Sequence, residues 1–191
     1  MKITFMAVAL LIILISNANA DSPTDKGVYS LSGSISYSHT NNGGGTMTAI
    51  TPAFMYFVYP NLALGASILY WDFKTDSSEA KTYGIGPVVR YYFGRETIYP
   101  FASVEYTYTK NKYESNFSGL SSTSNGHGSD LSLGLGVDYF LSKNVALEPI
   151  VRYTFNHNET DISGSTFSSA ASSSNRDETL FIGIGINVFI F

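Results

Sequence analysis

The chain has 191 residues, no cysteine and a formal net charge of −4. This length suits a single domain, and the missing cysteines exclude thiol chemistry, Cys-based zinc sites and a lipidated N-terminal Cys. No basic run is present, so nucleic acid is excluded as a partner. Charged residues make up only 14% and aromatic residues 15%, with 17 Gly and 14 Tyr, whereas a soluble domain carries about a quarter charged residues.

The first segment reads as a targeting signal. Lys2 precedes the apolar run Ile3 to Ile15, and Ala18-Asn19-Ala20 follows as a small-residue cleavage pattern. Residues 1–20 are therefore expected to be a cleaved signal peptide, because the run is shorter than the roughly 20 residues of a spanning helix. Residues 21–191 would form the mature domain. No other long apolar run exists, so an exported chain poor in charge and rich in Tyr and Phe points to strands facing lipid.

From Gly27 onward the pattern alternates with period two, the signature of strands. Eight segments are predicted, near 27–38, 46–58, 62–73, 81–93, 98–109, 129–141, 144–156 and 178–191. Each reaches the 9–11 residues of a tilted membrane strand. Their connections alternate in length. "HTNNGGG", "KTDSSEA", "KNKYESNFSGLSSTSNGHG" and "NHNETDISGSTFSSAASSSNRD" are the longer ones, while "YPN", "GRET" and "SKN" are short. Long outer loops with short inner turns and an even strand number define an all-β, eight-stranded antiparallel up-and-down transmembrane β-barrel. The third and fourth long connections, rich in Ser, Asn and Gly, read as solvated loops.

One face of these segments is apolar and is expected to face lipid. It carries Ile50, Phe54 and Tyr56, then Leu64 and Ile68, and finally Ile182, Ile184, Ile186, Val188 and Ile190. The other face is small or polar, with Ser30, Ser32, Ser34, Gly86, Gly134 and Gly183. Strand parity puts the few intramembrane charges, Arg90, Glu105, Asp138, Glu148 and Arg152, on that inner face. An Arg or Lys at the lipid midplane would cost about 2–4 kcal/mol. Two cations and three anions could pair inside, where an eight-stranded barrel is just filled by side chains. A soluble barrel with the apolar face inward would have an outer surface of Ser and Gly, too poor in charge to be well solvated.

Some residues resist this scheme. Pro52, Pro87, Pro100 and Pro149 fall inside predicted strands, where each removes a ladder hydrogen bond; bulges or locally missing bonds are expected. Asp72 falls on the outward parity and requires a place near the outer rim. Phe189 and Phe191 fall opposite the isoleucine stripe, and a bulge near Asn187 would turn them toward lipid. "YFVYPNLALG" (56–65) returns as "YFLSKNVALE" (139–148), which marks two equivalent inner hairpins closed by Asn61 and Asn144.

The stretches "TPAFMYFVYPNLALGASILYW", "YGIGPVVRYYFG", "YPFASVEYTY", "LGLGVDYFLSKNVALEPIVRYTF" and "GIGINVFIF" make the chain resemble small Gram-negative outer-membrane β-barrel proteins of the OmpA/OmpX-like superfamily. The resemblance spans the whole mature chain and implies architecture rather than activity, with no common catalytic residues. It implies that a C-terminal Phe, here Phe191, is part of the signal read by the barrel-assembly machinery. Expected partners are outer-membrane lipid and lipopolysaccharide, that machinery with periplasmic chaperones, and a host or surface ligand at the external loops. No cofactor or metal is expected. His39, His127 and His157 come from separate loops without a ligand-spacing motif. His127-x-Ser129 resembles the base and nucleophile of lipid A deacylase barrels, but its nearest carboxylate in sequence, Asp130, follows the Ser. The expected role is a non-enzymatic envelope-structural or surface barrel. The alternative is a narrow porin-like channel, with a lipid A-modifying enzyme third.

Overall fold

The computed structural model describes residues 22–40, 45–94, 98–117, 120–162 and 171–191. Residues 1–20, expected to be a signal peptide, lie outside them. Eight antiparallel strands close in chain order into one barrel. They are β1 (Tyr29–Thr40), β2 (Gly45–Tyr59), β3 (Leu62–Lys74), β4 (Ser78–Tyr92), β5 (Ile98–Phe117), β6 (Leu120–Phe140), β7 (Val145–Ile162) and β8 (Ala171–Ile190). Tyr29, which begins β1, and Ile190, which ends β8, pair at the end that carries the short turns, here called the lower end.

Alternation sets the two faces as the sequence requires. Phe54, Leu64, Ile68, Ile85, Val104, Leu133 and Ile182 are exposed on the outside, while Ser30, Ser32, Ser67, Ser132, Arg90, Asp138 and Glu148 are buried inside. Val188 keeps the outward parity but is buried, flanked by Leu31 and Val145 on the neighbouring strands.

The larger departure from the sequence reading is above the apolar band. The third and fourth long connections are mostly strand. β5 and β6 remain paired from Ile98↔Tyr139 up to Phe117↔Leu120, and β7 and β8 from Val145↔Val188 up to Ile162↔Ala171. Above the lipid both faces meet water, so polar residues occupy both parities and the period-two hydropathy signal vanishes although pairing continues.

The prolines leave gaps and no register shift. Pro52 pairs with Gly33 of β1, yet Thr51 and Pro52 drop out of the β2–β3 ladder. Pro87 pairs with Ala66, while Gly86 and Pro87 drop out of β4–β5. Pro149 pairs with Ile184, while it and Glu148 drop out of β6–β7. Pro100 stays opposite Val137, and its carbonyl accepts the Phe93 N–H. A missing N–H thus removes pairing on one side only. The register shift in β2–β3 lies instead at Phe57/Tyr59, beside the Pro60–Asn61 turn.

Where Pro87 opens the ladder, the strands approach closely. A Cβ on Gly86 would run into the Tyr106 carbonyl oxygen and stand 2.7 Å from Thr107 Cα. Gly86→Val should therefore destabilise the barrel by about 1–3 kcal/mol through overpacking against backbone. The check is the urea midpoint of unfolding in lipid vesicles, where an unchanged midpoint would show that the strands can separate freely at this point.

β8 contains no bulge. Its register with β7 and with β1 runs unbroken through Asn187. Phe189 therefore stays inside, fully buried, and Phe191 packs on the same core. The expected turn toward lipid is corrected. Phe189 is held by aromatic neighbours, its ring 5.0 Å from Phe140 and 6.3 Å from Phe57.

The two repeated hairpins differ in their Asn chemistry. Asn61 has φ 66°, a left-handed conformation that Asn tolerates, and its carbonyl accepts the Tyr92 N–H. Asn144 instead bridges to β8, donating from Nδ2 to the Phe189 carbonyl at 2.8 Å. The lower mouth is covered by the segment before β1. Thr24 and Val28 are buried there, and Thr24 donates to Asn61 Oδ1 at 2.8 Å.

Candidate functional site

The interior is the only region where the strands bring many polar groups together among the described residues, and it divides into layers. The lowest layer is aromatic. Phe57, Tyr92, Phe101, Phe140 and Phe189 project inward from five strands, with Met55 and Val28 between them. The rings meet at centroid distances of 5.0–6.3 Å, the spacing of favourable aromatic pairs. This layer was missed in the sequence. Its signal was present as inward-parity aromatics near the lower ends of β2, β4, β5, β6 and β8, the opposite of the small side chains higher up.

The next layer holds Arg90. Its guanidinium meets Glu148 in two hydrogen bonds, Nη1 at 2.5 Å and Nη2 at 3.2 Å, and lies 4.0 Å over the Phe101 ring. Both partners are almost fully buried. Nη1 also donates to Tyr92 Oη at 3.3 Å. Tyr92 donates its hydroxyl to Asp138 at 2.9 Å, and Asn187 Nδ2 donates to the same carboxylate oxygen at 2.9 Å. Charge, ring face and hydroxyl together make this a rigid cross-barrel strut.

Glu105 and Arg152 stand above it, 3.8 Å apart. Glu105 accepts hydrogen bonds from Ser67 at 2.5 Å and Thr107 at 3.1 Å. The five inner charges thus separate into two ion pairs, Arg90–Glu148 and Arg152–Glu105, and Asp138, which is held by Tyr92 and Asn187. Between the two pairs lies a void of about 20 Å³, space for about one water.

Higher still the barrel hollows into a cavity of about 650 Å³. Met47, Leu69 and Trp71 line one side, and Thr107, Thr109, Asn111 and Asn156 another. At the rim Lys74 bridges Asp72 at 3.5 Å and Glu79 at 3.0 Å, so Asp72 lies beside the β3–β4 turn. Hydrogen bonds from Lys81 and Lys74 hold the Glu79 carboxyl below its usual range.

The histidines lie outside the barrel wall. His39 shares a hydrogen bond with Thr46 at 3.0 Å. His127 and His157 both approach Glu159, Nε2 to oxygen 3.2 and 3.6 Å. Ser129 sits opposite His157 in register, but among the described residues no hydrogen bond joins it to either His. Asp130, the carboxylate next to Ser129 in sequence, points inward and lines the cavity. Glu159 is the carboxylate that pairing brings near, and its distance in sequence hid it. A base oriented by a carboxylate is present, but the nucleophile–base contact that acyl transfer needs is not.

The fold is shared with solved structures. The outer membrane protein OprG from Pseudomonas aeruginosa superposes with a TM-score of 0.60 at 14% identity, over 88% of this chain and 99% of that one. The N-terminal β-barrel domain of Pseudomonas aeruginosa OprF gives 0.51 at 11% identity, over 86% and 98%. No curated protein matches the chain significantly in sequence. The family model of the outer membrane protein beta-barrel domain matches residues 6–188. With eight closed strands, an apolar outer face and a polar inner one, the chain belongs to this family and is an integral protein of the outer membrane.

Proposed function

We propose that the protein is a non-conducting, non-enzymatic surface barrel that anchors an external binding platform in the outer membrane. One observation carries the reading: the lower half of the interior is filled. Arg90, Glu148, Tyr92, Asp138 and Asn187 span it, and the rings of Phe57, Phe101, Phe140 and Phe189 lie beneath them. A channel would have to break a buried, doubly hydrogen-bonded ion pair and part the rings below. The platform is the upward extension of β5–β8, which stands above the shorter β1 and β3 and offers paired backbone and polar side chains to a host or surface ligand. Residues 1–20 serve in this reading as the export signal. Lipopolysaccharide surrounds the outer band, and Phe191 is read by the assembly machinery with periplasmic chaperones.

Planar-bilayer recording tests it. The purified barrel should give no steady conductance at neutral pH. A reproducible channel whose size changes on altering Arg90 or Glu105 would overturn the reading in favour of a narrow pore. Unchanged lipid A in cells carrying the wild-type protein, compared with Ser129→Ala or His127→Ala, is the matching expectation against catalysis.

A further inference from the structure

The barrel is closed between its first and last strands by very little. β1 and β8 pair only from Tyr29↔Ile190 to Gly33↔Ile186, five residue pairs. Above Gly33, β1 stays paired with β2 up to Thr40↔Gly45, and β8 stays paired with β7 up to Ala171. The two strands continue upward side by side without joining each other. The outward side chains that border this gap, Ile35, Tyr37, Ile182 and Ile184, are 69–77% exposed.

This gap lies in the lipid. A tilted strand crosses the hydrocarbon in about 9–11 residues, and Ile35 and Tyr37 are six and eight residues above Tyr29 at the lower rim. An unpaired backbone group facing lipid costs several kcal/mol, and such backbone is tolerated where it lines a cavity. Here it does. Ser34 and Ser36 of β1 and Thr179 and Phe181 of β8 line the 650 Å³ cavity. The seam therefore joins the outer leaflet to the hollow upper interior. The Phe181 ring folds over Gly183 at the inner lip, where a Cβ on Gly183 would collide with it. Continuing the register of Tyr29↔Ile190 would put Ser36 opposite Gly183 and Ile35 opposite Ile184.

We propose that the upper cavity binds a single-chain amphiphile that enters from the outer leaflet between β1 and β8. The volume falls within the about 300–1,000 Å³ of small-molecule sites. The lining is two-sided: Met47, Leu69 and Trp71 offer an apolar wall to a chain, while Thr107, Asn111 and Asn156 offer hydrogen bonds to a polar head. The floor at Arg152–Glu105 and the Arg90–Glu148 strut beneath it stop the ligand, so the site holds its occupant and does not conduct it. The inference goes beyond the surface-barrel reading and stands or falls separately from the conductance result.

Trp71 is the sole tryptophan of the chain and lines the cavity, so its fluorescence reports occupancy. The probe is dibromostearic acid added to vesicles containing the full barrel, with a dibrominated phospholipid as the two-chain control. The free acid should quench Trp71 well beyond the phospholipid. In the double variant Ile35→Cys with Ile184→Cys, closing the seam by oxidation or by a short bis-maleimide should reduce quenching to the phospholipid level. Reduction of the disulfide should restore it. The chain has no other cysteine. Ala49→Phe, which fills the cavity away from the seam, should also abolish the extra quenching. Equal quenching by both probes in the parent, or quenching that survives the closed seam or Ala49→Phe, would overturn the proposal. So would a disulfide-linked dimer of Ile35→Cys alone, which would place a second copy in the gap.

Discussion

Glu148→Ala should destabilise the folded barrel by about 3–5 kcal/mol, the effect of leaving a buried charge without its partner. Arg90 is almost fully buried, and its two hydrogen bonds to Glu148 are its only contacts with an anion among the described ion pairs. Its Nε has no partner already, so little remains to solvate the guanidinium once Glu148 is gone. The same argument predicts recovery. Arg90→Met combined with Glu148→Leu should regain most of the loss, because removing both charges removes both desolvation penalties. Tyr92, Asp138 and Asn187 keep their mutual hydrogen bonds in that variant. Urea unfolding in vesicles, read by the mobility shift of heated and unheated samples, measures the cycle of parent, Arg90→Met, Glu148→Leu and the double variant, with Glu148→Ala beside it. Additive losses in the double variant would contradict a coupled strut.

The second large effect separates two phenylalanines that stand two residues apart. Phe189→Ala should cost about 3–5 kcal/mol, the usual range for truncating a buried ring, since its ring is fully buried against Phe57 and Phe140. Deleting Phe191 should do something different. Phe191 is only partly buried at the edge of the same core, beyond the last paired residue, so the folded barrel should lose less stability. If the assembly machinery reads it, cells should instead accumulate unfolded chain in the periplasm and yield less folded barrel. Equal yields with and without Phe191 would remove the assembly role. Equal stability losses for the two changes would mean that Phe191 acts only by packing.

Much of the fold was legible because a lipid-facing strand writes its geometry in period two. Leu131, Leu133, Leu135, Val137 and Tyr139 alternate with Ser132, Gly134, Gly136 and Asp138, and no other regular structure places those sets on opposite faces. The inward direction of Arg90, Glu105, Asp138, Glu148 and Arg152 follows from the same parity. Their partners do not. Arg90 and Glu148 are 58 residues apart on strands that are not neighbours, and only the closure of the sheet brings β4 and β7 across from each other.

The upper strands escaped for the opposite reason. In "KNKYESNFSGLSSTSNGHG" polar residues occupy both parities, so hydropathy carries no period, yet among the described residues backbone pairing still extends the hairpin. The aromatic floor escaped because inward aromatics contradict an interior of small residues, and their meaning appears only when five strand ends converge. Composition and alternation by themselves determined the strand number, the two faces and the membrane environment, because the lipid imposes them residue by residue. Pairing across the barrel, the filled lower half and the unpaired β1–β8 seam were decided only in three dimensions, because each depends on contacts between residues far apart in the chain.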